Sequence, residues 1–216
     1  MTEKKRRQFG LWDSPITASS LAAGRRLDGV AWDTDGETVV WLEGRSGHGV
    51  LVSQSSLGDA ACDLTSDLSV RAKVGYGGGD STVADGHVYF AAHLNGQLYR
   101  QRLSEGAARP VTSSFGSACS PAVSPDGASI AYVHNDGVGN DRIAVVDSEG
   151  KHWPQVLVSG HDFFMQPRWS PDGRRLCWIA WDHPNMPWDG TTLYVADVLD
   201  GSSLLPRLGE ARAIAG

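Results

Sequence analysis

Apolar and polar positions along this chain alternate in short runs, and the runs repeat. Residues 38–43 (TVVWLE), 87–92 (HVYFAA), 129–134 (SIAYVH) and 175–180 (RLCWIA) are rich in β-branched and aromatic residues, as half-buried strands are. Each is preceded by an Asp-Gly dipeptide and, before that, by a short segment: 30–32 (VAW), 81–83 (STV), 121–123 (PAV) and 167–169 (PRW). Each is followed by a polar, Gly-containing loop and a second β-rich run at 50–54, 97–102, 142–147 and 192–197. A turn such as 104–106 or 147–150 then leads to an edge-like segment at 62–65, 109–112, 155–158 or 212–215.

The glycines of the dipeptides, Gly36, Gly86, Gly127 and Gly173, recur at steps of 50, 41 and 46 residues. A period of roughly 40–50 residues is that of propeller blades. Asp-Gly favours the positive φ of a type I′ hairpin turn, whose twist matches its flanking strands. The pattern predicts an all-β fold, a β-propeller with four four-stranded antiparallel blades over residues 28–66, 79–113, 119–159 and 164–215 of a single domain. Helix signals are weak, the best being 18–24. Residues 71–79 (RAKVGYGGG) read as a Gly-rich linker into the second unit. They lack the Lys-Ser/Thr of a phosphate-binding loop, and no helical pattern follows them.

Composition narrows the function. Net charge is −6, so the chain lacks the basic footprint of a nucleic-acid binder. The basic run 4–7 reads as a solvated tail. No apolar stretch approaches the ~18 residues of a membrane span, and no apolar region follows the basic run as in a secretory signal. Cys62, Cys119 and Cys177 are odd in number and far apart. They suggest neither a zinc site nor a disulfide framework, and a reducing cytoplasm fits them. No cofactor motif is present. The seven His are scattered, and the adjacent Asp and Gly of each turn have the wrong spacing for a sialidase Asp-box.

The strongest candidate for function is the loop 182–190, which is long for a blade hairpin and stiffened by Pro184 and Pro187. With its neighbour Trp181 it offers Asp182, His183, Asn185, Met186, Trp188 and Asp189 as an interface or substrate-gating surface. A stiff aromatic loop costs little entropy to order. The structural alternative is that Trp181 and Trp188 pack against the next blade while Asp189-Gly190 makes the turn. Metal binding by Asp182, His183 and Asp189 is disfavoured, because no second His or Glu cluster stands at ligand spacing.

Two turns read Ser124-Pro125-Asp126-Gly127 and Ser170-Pro171-Asp172-Gly173. They resemble the repeat shared by TolB-like propellers and the prolyl oligopeptidase family of serine peptidases. Residues 181–190 (WDHPNMPWDG) are more specific, and resemble the acylaminoacyl-peptidase and dipeptidyl-aminopeptidase branch of that family, as do 9–17 (FGLWDSPIT) and 76–79 (YGGG). The resemblance implies a propeller of about seven blades over an α/β-hydrolase domain that follows it, restricting the catalytic Ser to short peptides. No G-x-S-x-G elbow occurs here; 44–48 (GRSGH) and 201–205 (GSSLL) are near misses in turns. The expectation is a non-catalytic, substrate-gating propeller fragment of a serine exopeptidase, whose partners are the missing α/β-hydrolase domain and short peptides. The alternative is a TolB-like scaffold for protein partners.

Four of about seven blades close little more than half a circle. The end blades would then each expose an apolar face, and nothing in 9–16 or 204–214 reads as the polar cap that repeat arrays need. Self-association through those faces is expected, with closure into a compact four-bladed ring as the competing outcome.

Overall fold

The computed structural model describes residues 6–10, 14–22, 24–56, 58–76, 78–104, 106–199 and 204–216. It contains four antiparallel sheets. Blade one is β1 (Arg26–Trp32), β2 (Thr38–Arg45), β3 (His48–Ser55) and β4 (Cys62–Asp63). Blade two is β5 (Ser81–Ala84), β6 (His87–Ala91), β7 (Leu98–Arg102) and β8 (Arg109–Pro110). Blade three is β9 (Ser117–Val123), β10 (Ser129–Asn135), β11 (Asp141–Asp147) and β12 (Gln155–Val158). Blade four is β13 (Phe163–Trp169), β14 (Arg175–Trp181) and β15 (Thr192–Leu199), with an outer strand broken into β16 (Arg207–Leu208) and β17 (Arg212–Ala215). β16 pairs with one end of β15 and β17 with the other. A short helix, α1 (Ala18–Ala22), precedes the blades. Thr17 and Ser20 cap it reciprocally, each hydroxyl accepting the other's backbone N–H at 3.0 Å, in the manner of a capping box.

The Asp-Gly turns require a correction. Only Asp85-Gly86 has both residues at positive φ, 51° and 70°, the type I′ geometry. At Asp35, Asp126 and Asp172 the Asp is not left-handed and only the Gly is. There the Gly N–H reaches back three residues, to Asp33, Ser124 or Ser170. The cause lies at the first turn position. Ser124 Oγ donates to Asp126 (2.5 Å) and accepts the N–H of Ser129 (2.9 Å), and Ser170 does the same with Asp172 and Arg175. A side chain that closes the turn on itself favours the longer connection. The near miss at 44–48 is itself a tight hairpin, with Ser46 at φ 51° and Gly47 at φ 83°. Of the other near miss, residues 201–203 lie outside the described residues, as do residues 11–13 and 77 of the segments that carry the family resemblance and residue 105 of the turn at 104–106.

The core lies between blades. Val40, Leu42 and Leu51 of blade one meet Val88 and Phe90 of blade two. Tyr89 and Leu98 of blade two meet Ile130, Tyr132 and Val146 of blade three. Ala131, Val133 and Ile143 of blade three meet Phe164, Leu176 and Trp178 of blade four. Alternation on each strand sends successive side chains to opposite neighbours. Among the described residues no such cluster joins blade four to blade one, so the blades form an open arc.

The free face of blade one is partly capped by residues of its own strands rather than by the terminal segments. Trp41 Nε1 donates to Glu43 (2.9 Å), Glu43 accepts from Arg45 (2.7 Å), and Arg45 grips both oxygens of Asp63 (2.5 and 2.8 Å). Towards the arc's centre that face stays apolar, with Leu27, Val30 and Trp32 exposed.

The antiparallel order sorts the connections onto two rims. Asp-Gly turns share one, where they interlock. Thr34 Oγ1 donates to Asp85 (2.8 Å) and accepts its N–H (2.9 Å), while Asp33 accepts the N–H of Gly86 (2.8 Å). The loop 182–190 and the links between blades share the other.

Candidate functional site: the blade-four loop and its aromatic base

β13 and β14 pair from Phe163 opposite Trp181 onward. The dipeptides just beyond that pair, His161-Asp162 and Asp182-His183, therefore face each other at the root of the loop. Asp182 accepts the ring of His161 (2.8 Å) and the backbone N–H of Asp162 (2.8 Å). Asp162 accepts the backbone N–H of His183 (2.8 Å) and its ring Nδ1 (3.0 Å). The ring of His161 holds the carboxyl of Asp182 below the usual range, and the N–H of Asp162 adds to the effect. For Asp162 the N–H of His183 is the larger cause and its ring the second. Hydrogen bonds to the charged form produce such shifts.

Beneath this clamp lies an aromatic base. Phe163 stacks on Trp181, with centroids 5.0 Å apart and planes at 17°, and His183 lies 4.8 Å from Phe163. Tyr76, from the linker between blades one and two, meets Phe163 and Trp181 edge-on at 5.9 and 6.1 Å. Trp181 is buried, and its indole N–H has no partner among the described residues. Trp188 is 73% exposed. The loop tip is a turn in which Asp189 donates its N–H to the carbonyl of Met186 (2.9 Å) and accepts the N–H of Met186 through its carboxylate (3.2 Å). Asn185 donates its N–H back to the carbonyl of Asp182 (3.1 Å).

The linker reaches blade four by crossing the inside of the arc. Arg71 donates its N–H to Ala91 of blade two (3.0 Å), and Gly79 accepts the N–H of Ser120 of blade three (2.7 Å). Ala72 and Val74 pack on the cluster between blades three and four. At Gly78 (φ +96°) a Cβ would stand 2.9 Å from Ser120 Oγ and 3.1 Å from Gln166 Cγ. Ser120 and Gln166 are themselves left-handed, at φ 50°, where the register of β9 and β13 slips, as at β-bulges.

The structure thus divides the sequence candidates. Trp181, Asp182 and His183 form the root, Asn185, Met186 and Asp189 shape the tip, and Trp188 points to water. Asp182 and His183 serve different partners and Asp189 caps the tip. Among the described residues no three His, Cys, Asp or Glu side chains are placed to hold a metal ion. Sequence reasoning missed His161, Asp162 and Phe163. The mirrored order His-Asp and Asp-His was their available signal.

A family model described as the lipoprotein LpqB β-propeller domain matches residues 96–197. The Tol-Pal system protein TolB of Xanthomonas campestris pv. campestris is 32% identical over 76 residues, 34% of this chain and 16% of TolB. A solved puromycin-hydrolysing peptidase of Mycobacterium tuberculosis superposes with a TM-score of 0.79 at 27% identity, covering 97% of this chain and 35% of the peptidase. A second solved structure, of puromycin hydrolase, gives 0.79 at 28% identity over 96% of this chain and 35% of its own. TolB of Acinetobacter baumannii gives 0.58 at 18% identity, covering 85% of this chain and 44% of TolB, a likeness of fold alone. The chain spans about a third of the length of the peptidases it matches and 16% of the curated TolB. The resemblance read from the sequence holds in three dimensions: nearly the whole chain superposes on about a third of two puromycin-hydrolysing peptidases.

Proposed function

We propose that the chain is the substrate-gating propeller of a serine exopeptidase of the acylaminoacyl- or dipeptidyl-peptidase type. It carries no hydrolysis itself and works with an α/β-hydrolase domain on short peptides. The observation that carries this reading is the match to puromycin-hydrolysing peptidases over nearly the whole chain at 27–28% identity. The blade-four loop suits the role. Its root is clamped by two carboxylates and its base packed with aromatic rings, so it presents Trp188 without disturbing the blade. A cytoplasmic location belongs to the same proposal and rests on three cysteines that remain free.

The test is made in the full-length protein. Trp188→Ala is expected to change kcat/KM for short peptides relative to longer ones, while the fluorophosphonate labelling of the hydrolase domain stays intact. An unchanged ratio overturns the gating role. The TolB matches favour a second reading, a scaffold that binds protein partners. The coding sequence beyond Gly216 separates the two: a hydrolase domain with a G-x-S-x-G elbow supports the peptidase, and a gene without one supports the scaffold.

A further inference from the structure

A second concavity lies between blades two and three and shares no residue with the blade-four loop or its base. Its walls include Phe115, Tyr132, His134 and Trp153, and it encloses about 110 Å³. That is less than the roughly 150 Å³ of an apolar cavity that takes up benzene, so an aromatic ring seats in this open cleft only in part and leans on the exposed rings at its mouth. Phe115 lies parallel to His134, centroids 6.0 Å apart, and Tyr132 meets His134 edge-on at 6.2 Å. Phe115 and Trp153 hold large apolar rings at the mouth, 62% and 71% exposed.

The polar groups here are incomplete. Tyr132 is 2% exposed, yet no described residue hydrogen-bonds its hydroxyl. The ring nitrogens of His134 have no such partner either. Burial, with Arg142 adding to it, pushes the imidazole below its ordinary range, so at neutral pH it offers one donor and one acceptor. Arg142, the one charged side chain on the lining, is paired with Asp136 at 3.3 Å. The cleft therefore combines aromatic walls, two polar side chains without a partner among the described residues and a lone cation that is already paired, the chemistry of a small-molecule site.

We propose that this cleft binds a single uncharged aromatic ring bearing a hydroxyl, a ligand of the phenol class. The ring lies against Phe115 and Trp153, and its hydroxyl meets Tyr132 and His134. Such a ring comes either as a free phenol or as a tyrosine side chain.

The test is calorimetric and NMR titration of the chain with p-cresol, toluene and N-acetyl-tyrosinamide. One saturable site is expected for p-cresol, with toluene about tenfold weaker for want of a hydrogen bond. Tyr132→Phe removes an unpartnered hydroxyl, so it should fold with an unchanged or raised melting temperature and lose the preference for p-cresol. Trp153→Ala should weaken both ligands, and Phe115→Ala supplies the same test if that variant does not fold. Binding of N-acetyl-tyrosinamide as tight as p-cresol assigns the site to tyrosine side chains, and its exclusion assigns it to free phenols. Either result supports the proposal. No saturable p-cresol binding, equal affinity for toluene, or an unchanged preference in Tyr132→Phe overturns it.

Discussion

Asp162 and Asp182 clamp the blade-four loop by exchange. Asp182 accepts the backbone N–H of Asp162 at 2.8 Å, and Asp162 accepts the N–H of the residue after Asp182, also at 2.8 Å. Each carboxylate also holds a histidine ring from the opposite dipeptide. The arrangement joins the two ends of a hairpin where the strand ladder stops.

The clamp makes loop protection depend on pH. Both carboxyls titrate below their ordinary value in the folded protein. A depressed folded pKa contributes stability that is fully present above the unfolded value of about 4 and is lost as pH falls through the lower folded one. Corrected for its intrinsic pH dependence, hydrogen exchange of residues 182–190 should stay equally protected down to about pH 5 and lose protection below about 4. Asp182→Asn should accelerate it at neutral pH and shift the melting temperature by no more than about 2 °C, because exposed pairs contribute little. A melting temperature unaltered alongside unaltered exchange would show that the clamp does not order the loop.

The Ser-Pro-Asp-Gly turns should not be equally sensitive. Ser124 is buried, and its hydroxyl serves both Asp126 and the N–H of Ser129. Ser124→Ala is expected to cost about 1–2 kcal/mol, because a buried N–H loses its acceptor. Ser170→Ala removes the same bonds at a more exposed turn and should cost under about 1 kcal/mol, since water replaces the hydroxyl. Urea unfolding of the two variants measures the difference.

Gly78→Ala should destabilise the chain by about 1–3 kcal/mol, from both a left-handed φ and the closeness of Ser120. Gly58, at φ +91° with nothing within 4 Å of an added Cβ, supplies the control. Gly58→Ala carries the conformational cost alone. Adding Ser120→Ala to Gly78→Ala should recover part of the loss. If Gly58→Ala and Gly78→Ala cost the same in thermal unfolding, the linker is not packed against β9 and β13.

The open ends of the arc predict association. Leu27, Val30 and Trp32 expose an apolar strip on blade one, while the polar network of Trp41, Glu43, Arg45 and Asp63 covers only the outer part of that face. Sedimentation of the isolated chain should show a concentration-dependent increase in mass, and Val30→Glu should reduce it. A strictly monomeric chain that binds no dye for exposed apolar surface would rule this out.

The blades were legible in the sequence because strand and turn chemistry is local. Alternating runs such as residues 129–134 carry their own β-preference. The glycines of the Asp-Gly turns supply the left-handed residue that every one of them uses, and α1 falls within the weak helix signal at 18–24. The turn class was misread at three of four sites: Ser124 and Ser170 act from outside the dipeptide, and in the first turn Asp35 accepts the N–H groups of Glu37 and Thr38. Four units set against the about seven of the resembling family left both an open arc and a closed four-bladed ring standing, and the core clusters, which link successive blades only, decided for the arc. What only the tertiary structure decided is which distant side chains meet. Tyr76 lies more than a hundred residues from Trp181, and only a linker crossing the inner strands of the arc brings their rings together. The pairing of His161 with Asp182 depends on where the β13–β14 ladder ends, and the unpartnered hydroxyl of Tyr132 depends on how blade two covers blade three. Such contacts arise from the curvature of the assembled blades, which no single blade's sequence encodes.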